Sequence, residues 1–288
     1  MKTVRTVRDL RAALSSQHAA GASVALVPTM GALHDGHLEL ARRARVANDT
    51  VVMSIFVNPV QFNDPADLAA YPRDEAADAD LAAGVGVDLL FVPSAAEIYP
   101  PGFTVTVELH GPIVESLEGT QRGTGHFRGV TTVVSKLLNI AAPQRAYFGA
   151  KDAQQARVVR AMVADLNIDT EIVTVPTVRE PDGLAMSSRN RRLSPAERTQ
   201  ATGLFAALRA AQQMSSGGEG RVEVIVAEAG RILADHSITP QYLALVDAET
   251  FLPATTVGVR PAVLLVAAKI GGTRLIDNVR LGPPPSVR

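Results

Sequence analysis

Apolar runs alternate with amphipathic stretches along the chain up to Pro176. Val24-Ala25-Leu26-Val27, Val51 to Val57, Asp88 to Val92 and Ala146-Tyr147-Phe148 are apolar nearly throughout, the pattern of parallel strands buried on both faces. Glu171 to Pro176 closes this series. Ahead of the first run, Thr6, with Asp9 three residues on, caps a helix carrying Leu10, Ala13 and Leu14 on one face and fading at Ala19-Ala20-Gly21. Further helices are expected from near His37 to Ala47, from Arg73 to Ala83, and from Val130 to Ile140 with Val133, Val134, Leu137 and Leu138 inward. Pro93 to Gly102 reads as a loop, and Thr104 to Leu109 alternates as a strand. Strands alternating with helices predict an α/β domain built on a parallel sheet.

From Ser194 the texture changes. Ser194 caps a helix with Pro195 at its first position and Glu197 three residues on. Ser215-Ser216-Gly217-Gly218-Glu219-Gly220 reads as a flexible linker to a helix over 221–236. Strands follow at Tyr242 to Val246 and Ala262 to Ala268, and the chain ends through Gly282-Pro283-Pro284-Pro285. This is a smaller α+β unit, and a length of 288 residues accommodates two domains.

Composition narrows the function. Basic and acidic residues balance at 28 and 29, so no basic face for a nucleic-acid backbone is implied. No cysteine occurs, which removes disulfides, thiolate nucleophiles and thiolate metal sites together. Met1 to Arg5 lacks an apolar signal core, and no run approaches the ~20 apolar residues of a membrane helix. The expectation is a soluble cytoplasmic protein without a membrane or nucleic-acid partner.

Candidate chemistry gathers at strand ends. Pro28-Thr29-Met30-Gly31-Ala32-Leu33-His34-Asp35-Gly36-His37 runs from a strand through a glycine-bearing turn into a helix, the arrangement by which α/β proteins bind anions. A phosphate is expected where Gly31 and Gly36 let the backbone approach it. At H-x-G-H spacing, His34 and His37 can both face one ligand and donate to phosphoryl oxygens in the transition state. As a metal half-site the pair is incomplete. Asn58-Pro59-Val60-Gln61-Phe62-Asn63 follows the next strand, and there Asn58 and Gln61 either bind substrate hydroxyls or satisfy the loop's own backbone. The acidic run Asp74, Glu75, Asp78 and Asp80 reads as a solvated helix face rather than a magnesium site. Gly119 to Gly129, glycine-rich and polar with two arginines, reads as a long mobile segment, either a lid or an ordinary surface loop. Gly149-Ala150-Lys151-Asp152-Ala153-Gln154-Gln155 repeats the strand-turn-helix logic, with Lys151 as a point charge for phosphate, Asp152 as an acceptor for ribose hydroxyls and Gln155 a turn further on. In Thr177 to Leu193, hydroxyls, backbone donors and several guanidinium groups collect, fit for a leaving pyrophosphate. Met186-Ser187-Ser188-Arg189 resembles the Lys-Met-Ser-Lys-Ser loop of adenylate-forming enzymes.

Taken together, Pro28 to His37, Phe56 to Phe62, His126 to Val130, Tyr147 to Gln155 and Met186 to Leu193 resemble the pantoate–β-alanine ligase family across almost the whole chain. The resemblance implies a Rossmann-like ATP- and pantoate-binding domain over 1–177, a small C-terminal domain over 178–288 that closes over it, a homodimer, and ATP with Mg2+. It also implies the reaction: ATP and pantoate form pantoyl adenylate and pyrophosphate, and β-alanine then displaces AMP to give pantothenate. Carried over by motif, Met30, Gly31, Ala32, Leu33, His34, Asp35, Gly36 and His37 would line the ATP site, with His37 as general acid and with His34, Lys151 and Arg189 as the other catalytic groups. Gly149, Ala150, Lys151 and Asp152 would also hold ATP, Val178 would meet the adenine through its backbone, and Met186, Ser187, Ser188 and Arg189 would close on the phosphates. Gln61 and Gln155 would bind pantoate, Gln61 also facing β-alanine; no protein residue is assigned to a metal. Ala150, Ala153 and Arg192 depart from the family's usual Glu or Gln, Tyr, and Tyr, and the first two remove side-chain contacts near the ATP and pantoate pockets. The rivals are a cofactor adenylyltransferase, an aminoacyl-tRNA synthetase, for which a tRNA-binding extension is lacking, and a nucleotide-binding regulator without catalysis.

Overall fold

The computed structural model describes residues 1–63 and 68–282; Pro283 to Pro285, expected as the chain's exit, lie outside them. Contacts divide the chain into one unit of Met1–Ala150 with Gln154–Pro176 and a second of Lys151–Ala153 with the chain from Thr177 on.

The first unit is built on six parallel strands, β1 (Lys2–Val4), β2 (Val24–Thr29), β3 (Thr50–Ile55), β4 (Leu89–Phe91), β5 (Arg145–Gly149) and β6 (Glu171–Val175). Their spatial order is β1-β4-β3-β2-β5-β6. The helices are α1 (Val7–Ala19), α2 (Asp35–Ala47), α3 (Glu75–Gly84), α4 (Thr124–Ala141) and α5 (Ala153–Asp165). Strand alternation sorts side chains between two faces. Leu26, Val52, Phe91 and Phe148 pack with Leu10 and Leu14 of α1, Leu137 and Leu138 of α4, and Val159 and Met162 of α5. Val27, Met53, Leu90 and Tyr147 point the other way, to Leu38, Ala41 and Ala44 of α2 and Ala82 of α3. Both faces are covered, which is why these strands read as continuous apolar runs. The expected α/β class holds, and α1 is capped as read, with Asp9 N donating to Thr6 Oγ1 at 3.1 Å.

The order matters for function. From β2 the chain steps to β3 and β4 on one side and then returns to place β5 and β6 on the other. Ligands of open parallel sheets bind at the carboxyl ends of strands beside such a reversal. The turns after β2 and β3 are neighbours there, because Thr29 pairs with Ile55 in a parallel register.

Three sequence readings are corrected. Thr104 to Leu109 forms no strand: Val107 N donates to Thr132 Oγ1 and Val107 O accepts from Thr131 Oγ1, so threonines on α4 take the backbone bonds a ladder would use. Gly119 to Gly129 is no lid loop but helix, a short one at Glu118–Arg122 and then the start of α4. Its glycine content serves close packing, since a Cβ on Gly129 would lie 2.7 Å from the backbone N of Gln61. Third, α2 opens at Asp35 rather than at His37, because His34 itself is the N-cap.

The second unit carries α6 (Pro195–Ser216), α7 (Val222–Asp235) and an antiparallel sheet of β7 (Pro240–Asp247), β8 (Ala262–Ile270) and β9 (Thr273–Leu281), in the order β7-β8-β9. The capping box at Ser194 and Glu197 is present as read. Leu204, Leu208 and Ala211 of α6 and Ile225, Ala229 and Leu233 of α7 form a core with Leu245, Leu264, Val266 and Val279 of the sheet. β9 is absent from the sequence reading. Its alternation is interrupted by Asp277 and Asn278, both buried, and a polar pair inside an edge strand hides the apolar period.

Candidate active site

Met30 to His34 join β2 to α2. At the N-cap, His34 has φ −145° and ψ 171°, and its Nδ1 accepts from Gly36 N at 3.1 Å. A lone pair at Nδ1 puts the proton of the neutral ring on Nε2, which makes that atom a donor. The His37 ring stacks on it, with centroids 4.1 Å apart and planes 27° from parallel. The H-x-G-H spacing therefore does bring the two imidazoles together.

The turn's backbone is held differently from the expectation. Gly31 N donates to Thr29 Oγ1 at 3.2 Å, Ala32 N to Asp78 Oδ2 at 2.8 Å and Leu33 N to Asp78 Oδ1 at 2.7 Å. With Gly36 N engaged by His34, each of these amides already meets an acceptor inside the chain. Gly31 and Ala32 both lie in the left-handed region, at φ 81° and 50°, and for an alanine that conformation costs about 1 kcal/mol or more, so the surroundings must impose it.

Asp78 corrects the reading of the acidic run. Asp74, Glu75 and Asp80 are exposed as expected, Asp74 capping α3 by accepting from Ala77 N and Glu75 pairing with Arg5. Asp78 is 3% exposed. It stands one turn before the buried Ala82 on the same helix face, and that phase is the signal that could have set it apart.

After β3, the Asn58 side chain is used up within the protein. Its Nδ2 donates to Gln61 Oε1 and to Gly129 O, each at 3.0 Å, and its Oδ1 accepts from Tyr99 Oη at 2.8 Å. Burial pushes the Tyr99 phenol up to about 12, against the opposing pull of Asn58, so it stays a donor at neutral pH. With Oε1 taken by Asn58, Gln61 presents its NH2 group, which reaches Met30 Sδ at 3.0 Å. A thioether is a weak acceptor, and an oxygen ligand would replace it readily. His126, in the segment read as mobile, fixes the Gln61 backbone through an Nδ1 contact of 3.0 Å to its carbonyl. Two of the sequence motifs thus meet at Met30 and Gln61.

At the second junction Gly149 ends β5 and Ala150, Lys151 and Asp152 form a 3-10 turn. Lys151 Nζ lies 3.4 Å from Asp152 Oδ2, a weak neighbour pair, and its carbonyl accepts from Asn278 Nδ2 of β9 at 2.8 Å. Of the two glutamines that follow, Gln155 is partly exposed on α5, whereas Gln154 is buried. Gln154 accepts from Glu118 N and donates to the carbonyls of Ile113 and Ser116, pinning the 112–122 segment. Sequence reasoning passed over Gln154, since adjacent glutamines carry no sign of which one is buried.

Within the second unit, residues 178–186 form a small hairpin. Met186 N donates to Val178 O at 2.9 Å and Gly183 N closes the turn on Glu180 O at 2.8 Å. Val178, expected to meet adenine through its backbone, thus has its carbonyl already accepting one bond. Ser187 caps the 3-10 turn Ser188–Arg192, accepting from Arg189 N. Asn190 is buried and ties that turn to Glu180 and the Ala185 carbonyl. Arg198 of α6 pairs with both Glu180 and Asp182, and its guanidinium holds the Asp182 carboxyl below its usual range. Arg191 and Arg192 are exposed and Arg189 is partly withdrawn, so the departure at Arg192 faces solvent.

Arg179 escaped the sequence reading as a structural residue. It pairs with Asp277 through Nη1–Oδ2 at 2.6 Å and Nη2–Oδ1 at 3.0 Å and lies 3.8 Å over the Phe205 ring. Side-chain exposure is 18% for Arg179 and 1% for Asp277. Of the guanidinium groups in the loop, this one serves the fold.

Comparison with known proteins agrees across the chain. The family model described as pantoate-beta-alanine ligase matches residues 2–280. The pantothenate synthetase of Cereibacter sphaeroides is 52% identical over 276 residues, 96% of this chain and 98% of that protein. That of Moorella thermoacetica is 49% identical over 282 residues, 98% of this chain and 99% of its own. Among solved structures, pantothenate synthetase from Thermus thermophilus superposes with a TM-score of 0.91 at 47% identity, covering 98% of this chain and 100% of that one. The pantoate-beta-alanine ligase of Francisella tularensis, solved with beta-gamma ATP and beta-alanine, gives 0.80 at 35% identity, with 97% of each chain covered.

Proposed function

This chain belongs to the pantoate-beta-alanine ligase family, and from that premise we propose which of its residues carry the reaction. The reaction is the ATP-dependent condensation of pantoate with β-alanine through pantoyl adenylate. The pantoate carboxylate attacks the α-phosphorus and pyrophosphate leaves. The β-alanine amine then attacks the acyl carbonyl, loses a proton and displaces AMP.

A carboxylate is already ionised at neutral pH, so the first step needs orientation and charge stabilisation rather than a protein nucleophile. His34 and His37 are the donors for the phosphoryl oxygens, the former through Nε2–H, the latter also as general acid. Lys151 and Arg189 supply positive charge to the triphosphate, Asp152 binds ribose, Val178 meets adenine, and Ser187 and Ser188 complete the phosphate contacts. The observation that carries this reading is the stacked His34–His37 pair at the strand-order reversal, with the Gln61 amide held beside Met30. Gln61 and Gln155 bind pantoate, and Gln61 also faces β-alanine. Among the described residues no cluster of three or more histidine or acidic side chains forms a metal cage. Mg2+ would enter with ATP as its counter-ion, held mainly by phosphate oxygens. A homodimer and a cytoplasmic location are part of the proposal on the family resemblance alone.

The roles of the glutamines are testable by substitution. Gln61→Ala and Gln155→Ala should each raise the KM for pantoate by about tenfold or more while that for ATP moves little. A site built to hydrogen-bond hydroxyls rejects analogues lacking them, so 2-deoxypantoate should be a poor substrate of the unmodified enzyme. In whichever variant has lost the hydroxyl's partner, that penalty should shrink. Strictly additive losses in kcat/KM at both positions would move the pantoate pocket elsewhere.

A further inference from the structure

We propose that Asp78 is a positioning residue for nucleotide binding, acting as the built-in acceptor of the β2–α2 turn's amides. This rests on the assignment of that turn to ATP. The carboxylate is buried at 3% exposure and places one oxygen on each of two consecutive amides, Ala32 N at 2.8 Å and Leu33 N at 2.7 Å. Acidic side chains are almost never so buried without partners of this strength. The two amides belong to a stretch in which Gly31 and Ala32 both take positive φ, a backbone that alanine adopts only when it is held there. The fit is close: a Cβ on Gly31 would lie 2.8 Å from Asp78 Oδ2 and 3.0 Å from Ile55 Cγ2, so only glycine admits the carboxylate.

The consequence concerns the ligand. Turns of this kind commonly receive a phosphate on their amides, but here the protein's own carboxylate occupies two of them. With those donors fixed on Asp78, the turn is rigid before ATP arrives, and the residues that follow, His34 and His37, are held at a set distance from β2. Binding then costs no reordering of the loop. Asp78 never touches the nucleotide. Its effect passes through the backbone of Ala32 and Leu33.

Asp78→Asn keeps the side chain's volume and one acceptor while setting an NH2 group against one of the amides. It should raise the KM for ATP by about tenfold while the KM for pantoate changes by less than about twofold. A residue that merely supports the fold would move both together. A folded variant whose two KM values are unchanged, or shift in parallel, overturns the proposal. Should the variant fail to fold, the unmodified enzyme decides by amide exchange read by NMR. The Ala32 and Leu33 amides should exchange slowly without nucleotide and no more slowly with ATP. Fast exchange without nucleotide, or protection gained only on adding ATP, overturns the proposal because the phosphates rather than Asp78 would then hold those amides. If ATP binds but leaves the imidazole resonances of His34 and His37 unmoved, the assignment of the turn to ATP fails instead.

Discussion

His37→Ala should slow formation of pantoyl adenylate by about a hundredfold or more in single-turnover measurements, with ATP affinity changed by only a few fold. The imidazole sits in the first turn of α2, stacked on His34; in the proposed assignment it is the donor for charge that grows on the phosphoryl oxygens as the carboxylate attacks. Such a donor acts on the transition state more than on the bound substrate, so the loss falls on the chemical step. Binding is spared because the turn is held by Asp78 and Thr29, not by His37. His34 is expected to behave differently. Its Nδ1 caps the helix, so His34→Ala loses both the cap and the Nε2 donor, and both ATP binding and adenylation should weaken. Unchanged adenylate formation in His37→Ala would remove this residue from the catalytic set.

The largest effect on stability is expected at Arg179. Arg179→Ala strands the Asp277 carboxylate inside the second unit and should destabilise that unit by about 3–5 kcal/mol in chemical denaturation. Burial pushes the Asp277 carboxyl up, and Arg179 opposes it, so removal of the guanidinium leaves a group that must be protonated to stay buried. The stacking on Phe205 and the bond to Gly183 O go with it. Arg179→Lys should recover only part of the loss, since lysine cannot make the forked pair or the flat stack. Replacing both partners by apolar residues, Arg179→Met with Asp277→Leu, should cost less than Arg179→Ala alone. Because Asn278 beside Asp277 donates to the Lys151 carbonyl, loosening β9 should also be felt at Lys151. A loss below about 1 kcal/mol for Arg179→Ala would show the pair to be worth no more than a surface salt bridge.

These cases mark what the chain's pattern discloses and what it hides. The buried strands β2 to β5 were legible because apolar residues on both faces leave an unbroken run, and the helices α1 and α6 were legible from their caps. The H-x-G-H segment was legible as a strand-to-helix turn bringing two imidazoles together because glycine and histidine coincide at a strand end. Asp78 was not, because an acidic residue among three exposed acidic neighbours looks like solvated surface until the phase of α3 is known. Asn58 and Gln61 were left open by sequence, and the structure separates them: one amide is consumed by Tyr99, Gly129 and Gln61, and the other is turned by it to present NH2. Glycines at 119–129 suggested mobility where they serve close helix packing, since composition cannot distinguish a flexible backbone from one in close contact. β9 stayed hidden behind Asp277 and Asn278, residues whose partners are distant in sequence.

The central claim is that pantoate attacks ATP before the amine enters, with the reacting groups held by this chain's own residues. Incubating the enzyme with ATP, Mg2+, pantoate and labelled pyrophosphate, without β-alanine, tests it most directly. The account predicts label appearing in ATP, dependent on pantoate and largely abolished in His37→Ala. No exchange, under conditions where adding β-alanine gives full turnover to pantothenate and AMP, would contradict it.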